Sequence, residues 1–333
     1  MIENALSPGK AILVFVAFLI ILFTVAILKK IYYRIRHKKR FYIIPRVSVK
    51  GIANIAMVIA ISITVIMLLT IITADLFNVV FRAWPGTRVT IEGILIKIGG
   101  LLFGPFLGIF IGGMTDLLAV AMTAGVFHYG YLIAAMAYGL IAGVIREIFS
   151  YAKKKDIRSA IWSTIILAVI EGCVMFFLWW QSGKGIGIYA LNFLGLHIEM
   201  SGYVMMAIIG SFILLAMVVV WIAFGFRRYQ IKKQKSFGLV NSKSNWYPTF
   251  VVVLVAVVIC DALINVLMMP SFDAQLSSLG YVQWVAIRAV IFIPEILLNL
   301  LIIFPIFKIV VPLINYDYRQ DLVEDRNVPV YVN

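Results

Sequence analysis

Four ionisable side chains lie inside two apolar stretches joined by a glycine–proline pair. They fall between residues 87 and 131, and they are Arg88, Glu92, Lys97 and Asp116. Ionisable groups at membrane depth are costly unless they pair with one another or contact a polar ligand. Arg88 and Glu92 are one helical turn apart and can form an ion pair on one face. This pattern predicts a buried site for a polar ligand.

A second set of polar residues lies near the end of the chain. Arg288, Glu295 and Asn299 are seven and then four residues apart, which places them on one face of a helix. Asp261 and Asn265 give the preceding helix a matching polar face. Arg288 follows Trp284 by one turn, and a tryptophan there is typical of a membrane interface, which predicts that Arg288 lies in the outer half of the bilayer. The alternative is that all these groups pair only to hold the helices together.

The composition indicates a polytopic membrane protein. Of 333 residues, 63% are hydrophobic and 13% are charged. The net charge of +14 comes from a few basic loops, as expected for cytoplasmic loops and not for a nucleic-acid-binding surface. Two cysteines and three histidines show no metal-ligand spacing, and there is no Walker A or nucleophile motif. The sequence predicts no metal, no cofactor and no catalytic centre.

Apolar runs predict nine transmembrane helices. The loop after the first run holds nine basic and no acidic residues, which predicts that this loop is cytoplasmic. Alternation then predicts an N-terminus outside the cell membrane and a cytoplasmic C-terminus. The first run is long enough to span, and we interpret it as a retained anchor. The runs cover approximately residues 11–28, 51–73, 90–103, 106–124, 129–150, 159–180, 203–226, 247–269 and 284–313.

Small residues recur at helical spacing and predict close helix contacts. Gly104, Gly108 and Gly112 recur every four residues, as do Gly139 and Gly143. The third run is shorter than a perpendicular span and turns at Gly104-Pro105 without a charged loop, so we expect it to be packed inside the protein.

The segment from Arg88 to Tyr131 resembles the core of the substrate-binding S components of energy-coupling factor (ECF) vitamin transporters, closest to the folate type. That type has an Arg-aliphatic-Thr start, a Gly-rich LLFGP turn, an aspartate on the next helix, and an aromatic-Gly-aromatic loop. The loop here reads FHYGY and differs from the usual family form. The matching residues are Arg88, Thr90, Gly104, Pro105, Gly108, Gly112, Asp116, Phe127, Gly130 and Tyr131.

The resemblance implies a six-helix S-component bundle, to which an N-terminal anchor and an inserted hairpin are added in an all-α membrane protein. A rival alignment takes the 159–226 hairpin as family helices 5 and 6; Arg288 and the prolines of the last helix favour the final pair instead. The implied divisions are 1–45 (anchor and basic loop), 46–158 (S-component helices 1 to 4), 159–245 (inserted hairpin and basic loop), 246–315 (S-component helices 5 and 6) and 316–333 (tail).

The resemblance also implies a function and its partners. An S component captures a vitamin outside the cell and associates with a transmembrane coupling subunit and two ATPase subunits that drive its release inward. For a folate-like ligand, Arg88 and Arg288 would bind carboxylates, Asp116 would accept ring N–H groups, and loop aromatics would cover the ring. The alternative is a self-contained proton- or ion-coupled carrier using Asp116, Asp261 and Glu295. The implied substrate residues are Arg88, Glu92, Lys97, Asp116, Phe127, Tyr129, Tyr131 and Arg288; Ala53, Ala56 and Ala60 would meet the coupling subunit, and residues 75–87 would form an outer lid.

Overall fold

The structure is a computed structural model and describes most of the chain after residue 48. The predicted anchor at 11–28 and the part of the predicted lid at 75–84 lie outside the described residues, apart from isolated positions. The described ranges are 49–72, 85–123, 127–152, 156–182, 188–193, 196–236, 246–277, 279–314 and 323–324, with a few single positions before residue 49.

The described chain is mainly helical. A two-residue strand β1 (Arg40–Phe41) pairs with β4 (Val323–Glu324), and a short hairpin is formed by β2 (Ile188–Phe193) and β3 (Leu196–Ser201). The all-α prediction missed this hairpin. The helices are α1 (Val49–Ile72), α2 (Pro85–Phe103), α3 (Pro105–Thr123), α4 (Tyr129–Ala152), α5 (Asp156–Ser182), α6 (Gly202–Ser236), α7 (Trp246–Cys260), a π-helix (Asp261–Met268), α8 (Met269–Leu276) and α9 (Tyr281–Ile314).

Among the described residues, seven helices are long and apolar enough to cross a membrane. The prediction of a multi-pass membrane protein is thereby supported, whereas the count of nine is not reproduced. The predicted span at 90–103 corresponds to α2, which has 19 residues and carries three ionisable side chains. With these side chains, α2 is not among the seven apolar helices. It is largely buried by its neighbours, as we expected for so short a helix.

Helix α2 begins earlier than predicted. Pro85 occupies its first turn, where a missing N–H costs nothing because that group has no partner inside a helix. The predicted lid at 75–87 is therefore wrong for its last three residues, which belong to the helix.

Contacts between helix ends show that the helices alternate in direction. Arg88 near the start of α2 pairs with Asp116 near the end of α3, and we call this end of the bundle the Arg88 end. At the opposite end, Arg146 of α4 donates to the carbonyl of Leu102 in α2. Arg227 of α6 likewise lies 3.8 Å from Asp156 at the start of α5. Arg146 and Arg227 therefore lie at the end opposite Arg88.

The turn between α2 and α3 depends on one glycine. Gly104 has a φ of 89°, in the left-handed region that residues with a Cβ rarely adopt. Its N–H donates to Gly100 O at 2.9 Å and closes α2, and Pro105 begins α3 at once. A reversal this tight keeps α2 and α3 side by side.

Helices α3 and α4 meet in backbone contact. A Cβ at Gly139 would lie 2.0 Å from Gly108 O, and a Cβ at Gly108 would lie 2.3 Å from Gly139 O. A Cβ at Gly143 would lie 2.3 Å from Pro105 N. The predicted close contacts of the glycine rows are confirmed, and they hold Asp116 of α3 beside the start of α4.

The helix after residue 246 changes its winding at Asp261. In an 18-residue stretch of Trp246–Leu276, 83% of the residues are buried, against 22% in the corresponding stretch of α5, so this span forms the centre of the bundle. In the π-helix, Met269 N–H donates to Ile264 O, a bond five residues back. The wider turn accommodates Pro270, which has no N–H and would crowd the carbonyl four residues earlier in an α-helix. The chain then continues as α8 and carries Asp273 back into the bundle.

Candidate functional site

Three charged side chains form a buried group at the Arg88 end, which we call the Arg88 cluster. Arg88 Nη2 lies 2.6 Å from Asp116 Oδ1, and Arg88 Nε lies 2.9 Å from Glu92 Oε1. All three residues are buried, with Arg88 3% exposed. The cluster contains one cation and two carboxylates, so a ligand that offers hydrogen-bond donors complements it.

A second group, the Arg288 cluster, joins α4, α8, α9 and the π-helix. Arg288 Nε donates to Asp273 Oδ2 at 2.8 Å, and Arg288 Nη1 donates to Asn265 Oδ1. The Tyr131 hydroxyl donates to Asp273 Oδ1 at 2.7 Å. Asn265 in turn donates to Glu295 Oε2. Carboxylate, amide, guanidinium and phenol groups from four separate elements are thus joined in one hydrogen-bond network.

The two clusters are neighbours. Thr90, half a turn after Arg88, donates to Asn265 Oδ1 at 3.4 Å. Asn265 Oδ1 also accepts from Arg288, and Asp273 accepts from both Arg288 and Tyr131, so these contacts connect the two clusters. The structure therefore brings together Arg88, Asp116, Tyr131 and Arg288, the core of the predicted site.

Aromatic rings cover this region. The rings of His128 and Tyr129 have centroids 4.5 Å apart, and those of Tyr131 and Phe272 have centroids 6.4 Å apart. Gly130 passes so close to Phe272 that a Cβ there would lie 2.2 Å from the ring. Burial lowers the pKa of His128, so its Nδ1 stays available as the acceptor for Gly130 N–H at 3.2 Å.

Two predicted residues of this loop have other surroundings. Phe127 is 54% exposed and contributes no ring contact within the described part of the chain. Tyr129 is partly buried and donates its hydroxyl to Gln275 Oε1 at 3.0 Å. Of the three predicted aromatics, only Tyr131 reaches the charged groups directly.

Lys97 belongs to a different group, the Lys97 cluster, nearer the centre of the bundle. Its ammonium pairs with Asp261 Oδ1, and Asp261 Oδ2 accepts from Asn299 Nδ2 at 2.7 Å. The Lys97 ammonium also lies 4.8 Å from the centre of the Tyr138 ring. Lys97 is fully buried, and the structure does not place it with Arg88 and Asp116.

Several buried oxygen atoms have no hydrogen-bond partner among the described residues. Two belong to the Arg88 cluster, Glu92 Oε2 and Asp116 Oδ2. Three more surround the Lys97 cluster, namely the Tyr138 hydroxyl, Glu295 Oε1 and Asn299 Oδ1. Buried polar atoms are nearly always paired in folded proteins, so these positions mark where a ligand, an ion or water is expected.

Three site residues of α8 were not predicted from the sequence. Asp273 and Gln275 fell beyond the predicted end of the 247–269 span, because Pro270 is typical of a helix end. Phe272 was missed for the same reason.

Trp284, which the sequence predicted as an interface anchor, has its side chain buried against the protein. Trp284 is 5% exposed, and its Nε1 donates to Ser277 Oγ at 2.7 Å, so it packs inside the protein. Trp179 and Trp180 are more than half exposed, as expected for an interfacial belt.

Comparisons with known proteins give one similar sequence. No family model matches the chain, and no solved structure matches it significantly. The uncharacterized protein MG098 homolog of Mycoplasma pneumoniae is 28% identical over 302 residues. The match covers 81% of this chain and 62% of that protein, so the chain spans less than two thirds of the length of the curated relative it matches. The chain is therefore similar to an uncharacterized mycoplasmal protein.

Proposed function

We propose that this protein is the substrate-binding membrane subunit of an ECF-type vitamin importer, with a folate-like compound as the substrate class. The observation that carries the proposal is the meeting of Arg88, Asp116, Tyr131, Asp273 and Arg288 at one end of an apolar bundle. Holding so many charged groups in one place is expensive in a membrane, and such groups typically mark a substrate site.

The ligand roles follow from what each cluster offers. Asp116 Oδ2 and Glu92 Oε2 are buried acceptors suited to the N–H edge of a pterin-like ring. A ligand carboxylate would share the guanidinium of Arg288 with Asp273, and Tyr131 would line the space between the two clusters. The aromatic group around His128 and Phe272 is positioned to cover a ring face.

The helix arrangement favours the alignment in which the last two spans belong to the binding bundle. Together, the residues of the three clusters come from α2, α3, α4, the π-helix, α8 and α9. No residue of these clusters comes from α5 or α6. Only 22% of the residues in an 18-residue stretch of α5 are buried, which suits an added peripheral hairpin.

Helix α1 provides a surface for the proposed coupling subunit. Ala53, Ala56 and Ala60 are exposed on one face, whereas Ile55 and Ile59 on the opposite face are buried against the bundle. Small side chains allow close and reversible contact between helices. This surface is our proposed site for association with the coupling subunit, which works with two ATPase subunits.

Replacing Asp116 with alanine is expected to weaken folate binding by more than about tenfold, since a desolvated charged acceptor is lost. Isothermal titration of the purified full chain in detergent measures this. Asp116→Asn keeps the size of the side chain and is expected to fold like the wild type. A matching elution profile of the two proteins checks this. Glu171→Gln, on α5 outside the clusters, is the matched control and should bind normally. Equal affinity in all four proteins would contradict the assignment of Asp116.

Transport assays separate the proposal from its main alternative. In proteoliposomes, labelled folate should enter only when the chain is reconstituted with a coupling subunit, two ATPase subunits and ATP. The alternative, an ion-coupled carrier, is favoured by one observation: Lys97, Asp261 and Glu295 lie buried near the bundle centre, where coupling ions act in carriers. Uptake by the chain alone, driven by an ion gradient, would establish the carrier instead.

A further inference from the structure

One exposed side of α6 changes from apolar to cationic toward the end of the helix. Residues three or four positions apart share a side of a helix. The apolar part of this side includes Val218 and Ile222, which are 51% and 65% exposed. Two turns further on, the exposed residues are Arg228, Lys232 and Lys233. We call this side of the helix, from Val218 to Lys233, the α6 face.

The α6 face is longer than the apolar core of a bilayer is thick. Helix α6 has 35 residues and is therefore about 52 Å long, against about 30 Å for the hydrocarbon core. Tyr229 is 63% exposed between the apolar and the cationic parts, and tyrosines are typical of the headgroup level of a membrane. This arrangement places Arg228 and Lys232 at the depth of the lipid phosphates.

The cations of the α6 face form no ion pair with any of the residues that the structure describes. Arg228 and Lys232 are one turn apart, and like charges at this spacing repel each other. The carboxylate of Asp156 on the adjacent α5 lies 3.8 Å from Arg227, which is the buried neighbour of Arg228. An anion bound between Arg228 and Lys232 would remove the repulsion between them.

The shape of the α6 face also suits a lipid headgroup. The guanidinium of Arg228 lies 5.1 Å from the centre of the Phe224 ring, one turn back toward the apolar part, and this contact restrains it. A Cβ at Gly225 would meet nothing within 4 Å, so the helix has an open notch just before the cations. A guanidinium at the edge of such a notch can donate two parallel hydrogen bonds to a phosphate.

We infer that the α6 face binds an anionic phospholipid, with its phosphate at Arg228 and Lys232 and its acyl chains along Val218 and Ile222. Basic residues at headgroup depth attract anionic lipids in particular. An acidic protein would match the cations and leave the exposed apolar part of the same face without a partner. Lipid binding here gives the α5–α6 hairpin a role of its own, which is to fix its depth in the membrane.

The test uses the purified full chain in detergent and needs no vitamin, so its outcome does not depend on the proposed function. Thermal unfolding is followed with added phosphatidylglycerol or phosphatidylcholine of identical acyl chains. We expect phosphatidylglycerol to raise the midpoint saturably, by about 2–4 °C more than phosphatidylcholine does. The difference should shrink at high salt, because exposed charges are screened. Native mass spectrometry should show retained phosphatidylglycerol.

Variants locate the lipid. Arg228→Gln combined with Lys232→Gln should remove both the difference between the two lipids and the retained phosphatidylglycerol. Arg158→Gln is the matched control and should keep both. It removes another exposed arginine, two residues after Asp156 and therefore on the side of α5 that points away from Arg227.

Inorganic phosphate separates a lipid site from a simple phosphate site. At equal ionic strength it should not raise the midpoint, because it has no acyl chains to lie along Val218 and Ile222. A rise as large as that with phosphatidylglycerol would overturn the assignment to a lipid. Equal midpoints in the two lipids, or a phosphatidylglycerol effect that persists in the double variant, would overturn the α6 face as the binding site.

Discussion

Replacing Lys97 with methionine is expected to destabilise the protein by about 3–5 kcal/mol, because it leaves the buried carboxylate of Asp261 without its cation. Lys97 and Asp261 are both fully buried, and Asp261 keeps only the Asn299 amide as a partner after the change. A loss of this size is a large fraction of the stability of most proteins. The folded yield in detergent and the midpoint of thermal unfolding should both fall sharply.

A double variant tests whether the unpaired charge of Asp261 causes the loss of stability. Lys97→Met combined with Asp261→Asn removes both charges and keeps an amide oxygen for Asn299. We expect it to recover most of the lost stability, because replacing both members of a buried pair is far less costly than removing one. Lys308→Met, at an exposed position near the end of α9, is the lysine control and should change little. A double variant as unstable as the single one would show that the charge pair is not the cause.

Local patterns in the sequence predicted the elements that depend on nearby residues. The Arg88–Glu92 pair follows from helical spacing, and the turn at Gly104-Pro105 follows from the conformational preferences of those two residues. The close contact between α3 and α4 follows from the spacing of small residues. In each case the deciding interaction lies within one helix or between neighbours in the chain.

Other parts of the site depend on distant contacts that no local pattern encodes. Lys97 was predicted to lie with the substrate residues, and the structure does not reproduce this grouping. It pairs instead with Asp261, 164 positions away in the chain. Asp273 was not predicted as a site residue because Pro270 is typical of a helix end. In the structure the π-helix accommodates the proline, and the chain stays in the bundle. Trp284 was predicted as an interface anchor because tryptophans are common there. In the structure its side chain packs inside the protein and donates to Ser277.

Replacing Gly139 with alanine is expected to separate α3 from α4. The new Cβ would lie 2.0 Å from the carbonyl oxygen of Gly108, and backbone cannot move aside as a flexible side chain can. Overpacking of a tight contact costs about 1–3 kcal/mol. Asp116 of α3 and Tyr131 of α4 would move apart as well, so ligand binding should weaken together with stability.

Gly172 provides the matched control, because a Cβ there would meet nothing within 4 Å. Gly172→Ala should be neutral or stabilising by up to about 1 kcal/mol, since alanine favours a helix more than glycine does. The two substitutions add the same methyl group, and only Gly139→Ala is expected to lower the unfolding midpoint. If Gly139→Ala were as stable as Gly172→Ala and bound ligand normally, the contact between α3 and α4 would not be what positions Asp116.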